Sequence, residues 1–142
     1  MAYKGMTGQG ATAVLGTTGA VGCVRSIQLP EWTQEKIDSS CLDTTGFKTY
    51  IPGDLTDPGQ VQLVAVFDPS IAIPSCGVVE TLTITFPIGD PANSTNATLV
   101  GTGFIMSVQN PNMQIDNLLE LTITFCYDGD SASPPTYTPE SA

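Results

Sequence analysis

The sequence predicts an all-β chain: a single-domain antiparallel β-sandwich or barrel with at most one short helix. Three observations carry that expectation. Leu82-Thr-Ile-Thr-Phe86 recurs as Leu121-Thr-Ile-Thr-Phe125, so that apolar residues and threonines alternate with period two. Turn-forming pairs such as Pro52-Gly53, Pro58-Gly59, Asp68-Pro69 and Asp90-Pro91 punctuate the runs at short intervals. The chain has 142 residues, a length at which one domain buries roughly 68–70% of its unfolded surface.

The elements follow in order. Residues 1–9 form an N-terminal arm, residues 10–127 the domain, and residues 128–142 a flexible C-terminal tail, because that end combines prolines with small polar residues. Ala11 to Gly16 and Ala20 to Leu29 read as a strand pair across Thr17-Thr18-Gly19. Pro30 to Ser40 holds the one candidate helix, with Pro at its start and Glu31 and Glu35 near its positive end. A short strand is expected over 47–51. Gln60 to Asp68 alternates with Val61, Leu63, Ala65 and Phe67 on one face. Its other face is half apolar through Val64 and Val66. Thr98 to Gln109 is a long strand with Gly101 and Gly103 as bend or bulge points.

The chemistry is restricted. No histidine is present, so neither a Ser-His-Asp nor a Cys-His nucleophile can be built. No catalytic residue, cofactor or metal site is expected. Asp128-Gly-Asp130-Ser131 begins like a calcium loop but lacks the Glu that should follow. Asp54 and Asp57 are placed in turns. Cys23, Cys41, Cys76 and Cys126 have no zinc spacing; Cys23 and Cys126 read as buried thiols, while Cys41 and Cys76 fall in loops. Asn93-Ser-Thr and Asn96-Ala-Thr read as a polar turn. The longest apolar run is five residues, Leu63 to Phe67, too short for a membrane-spanning helix. Met1 is not followed by an apolar signal-like run, and an intracellularly made domain is expected.

Charge narrows the partners. Fourteen acids oppose four bases, giving −10, and nothing after Lys48 is basic. Four bases cannot neutralise many phosphates, so nucleic-acid binding through a basic patch is excluded, as is docking on anionic lipid. The acidity serves solubility, or it repels a polyanion. Nineteen threonines and few charges leave sheet edges weakly guarded, as if neighbouring copies cover them.

The order of segments resembles the major tail tube proteins of long-tailed bacteriophages. Gly10-Ala-Thr-Ala-Val-Leu-Gly16 and Ala20-Val-Gly-Cys-Val-Arg-Ser-Ile-Gln28 are similar to that family's opening hairpin. Ile37-Asp-Ser-Ser-Cys-Leu-Asp43 resembles its next stretch, with Ser in place of the usual Thr. Phe47 to Gly59, Phe67-Asp-Pro69, Ile84-Thr-Phe-Pro87, Gly101-Thr-Gly-Phe104 and Leu121 to Phe125 follow in the family's order. The family's helix after Asp68-Pro69 meets Pro69, Pro74 and Gly77 here, which oppose it.

The resemblance implies a virion tail subunit, assembled in the host cytoplasm, whose copies close into hexameric rings that stack into a hollow tube. DNA passes without specific binding, and the other partners are the tape measure, tail terminator and tail tip. Asp68, Glu80, Asp116 and Glu120 are the lumen-facing candidates. Glu31, Trp32, Glu35, Lys36, Asp43, Asp54 and Asp57 are the candidates for contact with the adjacent ring. An immunoglobulin-like decoration or adhesin domain is the second reading.

Overall fold

A computed structural model of the protein describes residues 6–130 and 132–142. Among the described residues ten strands run in chain order: β1 Thr12–Leu15, β2 Gly19–Ala20, β3 Val24–Gln28, β4 Thr33–Asp38, β5 Tyr50–Asp57, β6 Gln60–Val66, β7 Val79–Thr85, β8 Thr98–Gln109, β9 Glu120–Tyr127 and β10 Thr136–Thr138. Among the described residues there is no helix. Every strand pairing is antiparallel. One sheet has the order β2-β1-β7-β8-β9-β6-β3, with β10 also on β8, and β4-β5 form a separate two-stranded ribbon.

Alternation builds the core. In β9 Leu121, Ile123, Phe125 and Tyr127 are buried while the residues between them are half-buried. Leu82 and Ile84 of β7 do the same. Together with Leu15, Val61, Leu63, Ala65, Leu99 and Ile105 they form one cluster. Because β1 and β7 share that cluster with β6 and β9, the sheet wraps around its own inner face.

β8 is the strand about which it wraps. β7 covers one edge of β8 from Thr98 to Phe104. The other edge is shared, with β10 along Thr98–Val100 and β9 along Gly103–Gln109. Gly101 lies between these stretches and Gly103 opens the second, and both face inward. A Cβ on Gly101 would stand 2.5 Å from the Tyr127 ring and 3.0 Å from Pro135 Cα. The glycines are therefore a seat for Tyr127; the bulge in β8 falls later, between Ile105 and Ser107.

Five sequence expectations are corrected. β1 pairs with β2 over only Val14–Ala20 and Leu15–Gly19. Gly22, at φ +107, then carries the chain across the end of the barrel, where Val66 N–H donates to Cys23 O at 2.8 Å. β3 thus pairs with β6, not with β1. Second, the expected helix at Pro30 to Ser40 is strand β4.

Third, β5 runs straight through Pro52-Gly53, so Asp54 and Asp57 lie on a strand rather than in a turn. Pro52 is tolerated because it sits beside the ribbon's register shift between Gln34 and Lys36. Gly53 lets the strands close, since a Cβ there would lie 3.1 Å from Glu35 O. Fourth, Cys23 is exposed and Cys126 only half-buried on the outer face, and all four cysteines are free thiols. Fifth, the expected flexible tail contains β10, held to β8 by three register pairs. The segment 67–78 contains no helix, as Pro69 and Pro74 require.

Two stability predictions follow from the Tyr127 seat. Gly101→Ala is expected to lower unfolding free energy by about 1–3 kcal/mol through overpacking, read as a lower urea midpoint with unchanged slope. Burial pushes the Tyr127 phenol up to about 12, from its usual 10.0. The unfolded chain releases that proton near pH 10 and the folded chain near 12. This stabilisation is therefore complete below pH 10 and disappears as pH rises toward 12. Tyr127 Oη has no hydrogen-bond partner among the described residues, so Tyr127→Phe should keep neutral-pH stability and lose less between pH 10 and 12, measured by denaturation at each pH.

Candidate assembly surface

The β4–β5 ribbon leaves the barrel between β3 and β6 and contributes no residue to the core cluster. Every β4 side chain is exposed. Its internal ties are local. Lys36 Nζ sits 4.2 Å from the Tyr50 ring centroid, and Gln34 Nε2 donates to Gly53 O. Ser40 N–H donates to Asp38 Oδ1 at 2.9 Å, and this bond, with that of the Ser40 hydroxyl, holds the Asp38 carboxyl below its ordinary range. The ribbon nevertheless presents large apolar side chains to solvent: Leu42 is 109% exposed, Phe47 92% and Leu55 84%. Three such large exposed apolar side chains on one element make the ribbon a candidate interaction surface.

All seven residues expected to reach an adjacent ring lie on this ribbon or at its ends. Glu31 and Trp32 precede β4; Glu31 O packs so close to Gly59 that a Cβ there would lie 2.6 Å away. Glu35 and Lys36 are on β4, Asp43 is in the connecting loop, and Asp54 and Asp57 are on β5. Asp57 Oδ1 accepts from Gly59 N–H at 2.9 Å, closing the exit into β6.

The four lumen candidates do not share one surface. Glu80 is only 5% exposed and points into the barrel end; Thr18 Oγ1 donates to its Oε2 at 3.1 Å, and its Oε1 has no partner among the described residues. A carboxylate so enclosed cannot line a channel, which corrects that expectation. Glu120 is paired with Arg25 at 2.7 Å. Asp68 is exposed at the end of β6 and accepts from Ser70 Oγ at 2.6 Å and Ser70 N–H at 2.9 Å, which lowers its pKa. Asp116 is exposed in the β8–β9 loop at φ 67. That loop also exposes Met113, Ile115 and Leu118.

The outer faces of the sheet are almost uncharged. In register across one half lie Thr85 and Thr98, Thr83 and Val100, and Thr81 and Thr102; across the other lie Gln62 and Thr124, then Val64 and Thr122. The Arg25–Glu120 pair is the charged feature there. Apart from the enclosed Glu80 of β7, the remaining acids belong to the ribbon and to loops. Sequence reasoning missed the exposed apolar ribbon, because Thr33-Gln-Glu-Lys-Ile-Asp38 has no apolar alternation. A strand with neither face buried leaves no period-two signal.

Beside β3 the sheet does not close. An apolar cleft of about 630 Å³ separates the free edge of β3 from the stretch before β1, lined by Met6, Val24, Ile27, Leu29, Phe86 and Pro87. Among the described residues, no group of three or more His, Cys, Asp or Glu side chains could hold a metal ion, and no helix is long and apolar enough to cross a membrane.

Neither a protein-family model nor a curated protein matches the chain. Its fold is nevertheless found among solved structures of tail-like machines. The sheath/tube terminator of the PVC extracellular contractile injection system in its extended state superposes with a TM-score of 0.68 at 14% identity, over 94% of this chain and 96% of that one. The anti-feeding prophage cap, a tube-terminating cap, gives 0.67 at 14% identity, over 97% and 92%. The PVC sheath–tube complex gives 0.64 at 15% identity, over 91% and 88%. The chain therefore has, over nearly its whole length, the all-β fold seen in these assemblies.

Proposed function

We propose that this chain is the major structural subunit of a bacteriophage tail tube, with six copies closing a ring and rings stacking into a conduit for genome delivery. The observation that carries this reading is a near full-length tail-tube-type fold bearing a ribbon that exposes Leu42, Phe47 and Leu55 with no intramolecular contact to the core. Burial of such side chains against the next copy gains roughly 25 cal/mol per Å² of apolar surface. The opposite barrel end, where the 110–119 loop exposes Met113, Ile115 and Leu118, offers a complementary apolar surface for head-to-tail stacking.

Charge enters this reading through the ribbon and end loops. With Glu80 enclosed and Glu120 neutralised, any carboxylates that repel DNA in the bore are those of loops and ribbon, Asp68 and Asp116 among them. A second reading, a terminal ring that caps the tube, is favoured by two of the neighbours, a terminator and a cap.

Electron microscopy of the particle carrying this chain tests both readings. Density repeating along a hollow tail supports the major subunit, density confined to one end supports the cap, and absence from the tail refutes both. Leu42→Asn with Phe47→Asn should abolish ring stacking while changing monomer stability by no more than about 0.5 kcal/mol, measured by sedimentation and denaturation of the same samples.

A further inference from the structure

We propose that the C-terminal segment 132–142 is a strap that guards one edge of the sheet. Shut, it denies the start of β8 to any further strand. It opens as a unit while the barrel stays folded.

The edge needs a guard. β9 pairs with β8 only from Gly103 onward, so among the described residues β10 alone covers Thr98–Val100 on that side. The outward side chains in register there are Thr85 and Thr98, then Thr83 and Val100, with no charge among them. An uncharged edge with unpaired N–H and C=O groups is a template for another chain. The docked strap replaces it with a poor template. β10 has three residues and is bracketed by Pro134-Pro135 and Pro139. Neither flank has an N–H to donate, and short edge strands and proline are the usual means of blunting a sheet.

The strap is fixed at its two ends rather than through the core. The core cluster contains no residue beyond Tyr127, and all three β10 residues are exposed. One end is an anchor: Asp128 N–H donates to Thr102 O at 3.2 Å, and Thr102 N–H donates to Ser133 O at 3.5 Å. The other end is a catch. Glu140 Oε2 accepts from Gly89 N–H at 2.9 Å, and its Oε1 accepts from Asp90 N–H at 2.9 Å and Asn93 Nδ2 at 3.0 Å. Thr95 N–H donates to Ser141 O at 2.9 Å, and Ser141 N–H donates to Thr95 O at 3.1 Å. Between anchor and catch lie three register pairs with β8 and the Tyr137 ring, edge-on to Phe86 at 5.8 Å.

Hydrogen bonds to a carboxylate are roughly twice as strong as neutral ones, so Glu140 contributes most to closure. An element with exposed side chains and surface hydrogen bonds opens locally, at a lower free energy than global unfolding. The anchor keeps the open strap beside its seat. Reclosure is then intramolecular, and the shut form is the resting state. None of this assumes a ring or a tube.

Full-length wild-type, Glu140→Gln and Glu140→Ala proteins are compared by hydrogen–deuterium exchange and by sedimentation over a concentration series. In Glu140→Ala, exchange within 132–142 is expected to be at least about tenfold faster, with a smaller change in Glu140→Gln, which keeps an acceptor oxygen. Exchange in β6 and β9 stays as in wild type, and Glu140→Ala associates at concentrations where wild type does not. Adding Leu42→Asn and Phe47→Asn should leave that extra association in place, which separates the edge from the ribbon of the tail-tube reading. Equal acceleration in β6 and β9, or no acceleration within 132–142, overturns the strap. A strap that opens with no extra association overturns the guard, as does extra association that disappears with the ribbon substitutions. Each result bears on this edge alone and leaves the tail-tube reading to the particle's own density.

Discussion

The structure depends on one strand serving three partners. β8 holds β7 on one edge and both β9 and β10 on the other, so the register of most of the sheet is set by where its backbone groups point. A one-residue slip would turn Leu99 and Ile105 outward and bring threonines into the core. The same strand must also yield space. At Gly101 the Tyr127 ring takes the space a side chain would need, stacked edge-on against Phe125 at 5.5 Å, and at Gly103 the backbone of Cys126 and Tyr127 comes close instead. The long strand, its two glycines and one aromatic are a single packing solution that joins the two halves of the barrel.

That inner constraint leaves the outer faces free to be neutral. The threonines that alternate with core residues on β7, β8 and β9 are β-branched, so they favour the extended backbone. Their hydroxyls can turn to each other, as Thr81 and Thr102 do at 3.5 Å, or to water. Strands so built need no charge to stay folded. Apart from Glu80 and Glu120, the acids lie on the ribbon and connections, where the carboxylates of Asp38, Asp57, Asp68 and Asp90 each accept backbone N–H bonds two residues on. The net −10 is thus largely a property of turns and the ribbon, and it says little about the sheet's own faces.

Legibility in the sequence followed burial. β7 and β9 were readable from Leu-Thr-Ile-Thr-Phe, and β8 was readable to its boundaries, Thr98 to Gln109, because one face of each enters the core. β4 was mistaken for a helix because Thr33 to Asp38 buries nothing, and an initial Pro with two acids imitates a helix start. β10 was invisible for the same reason: Thr136-Tyr-Thr138 is held by backbone pairing and by Glu140, and its partner loop lies 47–51 residues away in sequence. Glu80 looked like a surface acid by residue type, yet its place in the alternation of β7, in phase with Leu82 and Ile84, already directed it inward. The stretch expected to reach an adjacent ring is a two-stranded ribbon, a form set by pairing that no local pattern records.

A free-standing two-stranded ribbon is marginal in water by itself, and this one has no apolar face against its own barrel. Its cross-strand ties, a cation over Tyr50 and a few side-chain hydrogen bonds, are exposed and individually small. Such an element belongs to the low end of local stability. Leu42, Phe47 and Leu55 raise the cost further by meeting water. Contact with a partner would therefore contribute twice: it would bury those side chains and hold the ribbon in the conformation that presents them. The barrel, by contrast, closes its core within one chain. A self-sufficient sheet and an arm with no core of its own thus divide one chain into a part whose stability is internal and a part whose exposed apolar side chains leave it at the low end of local stability.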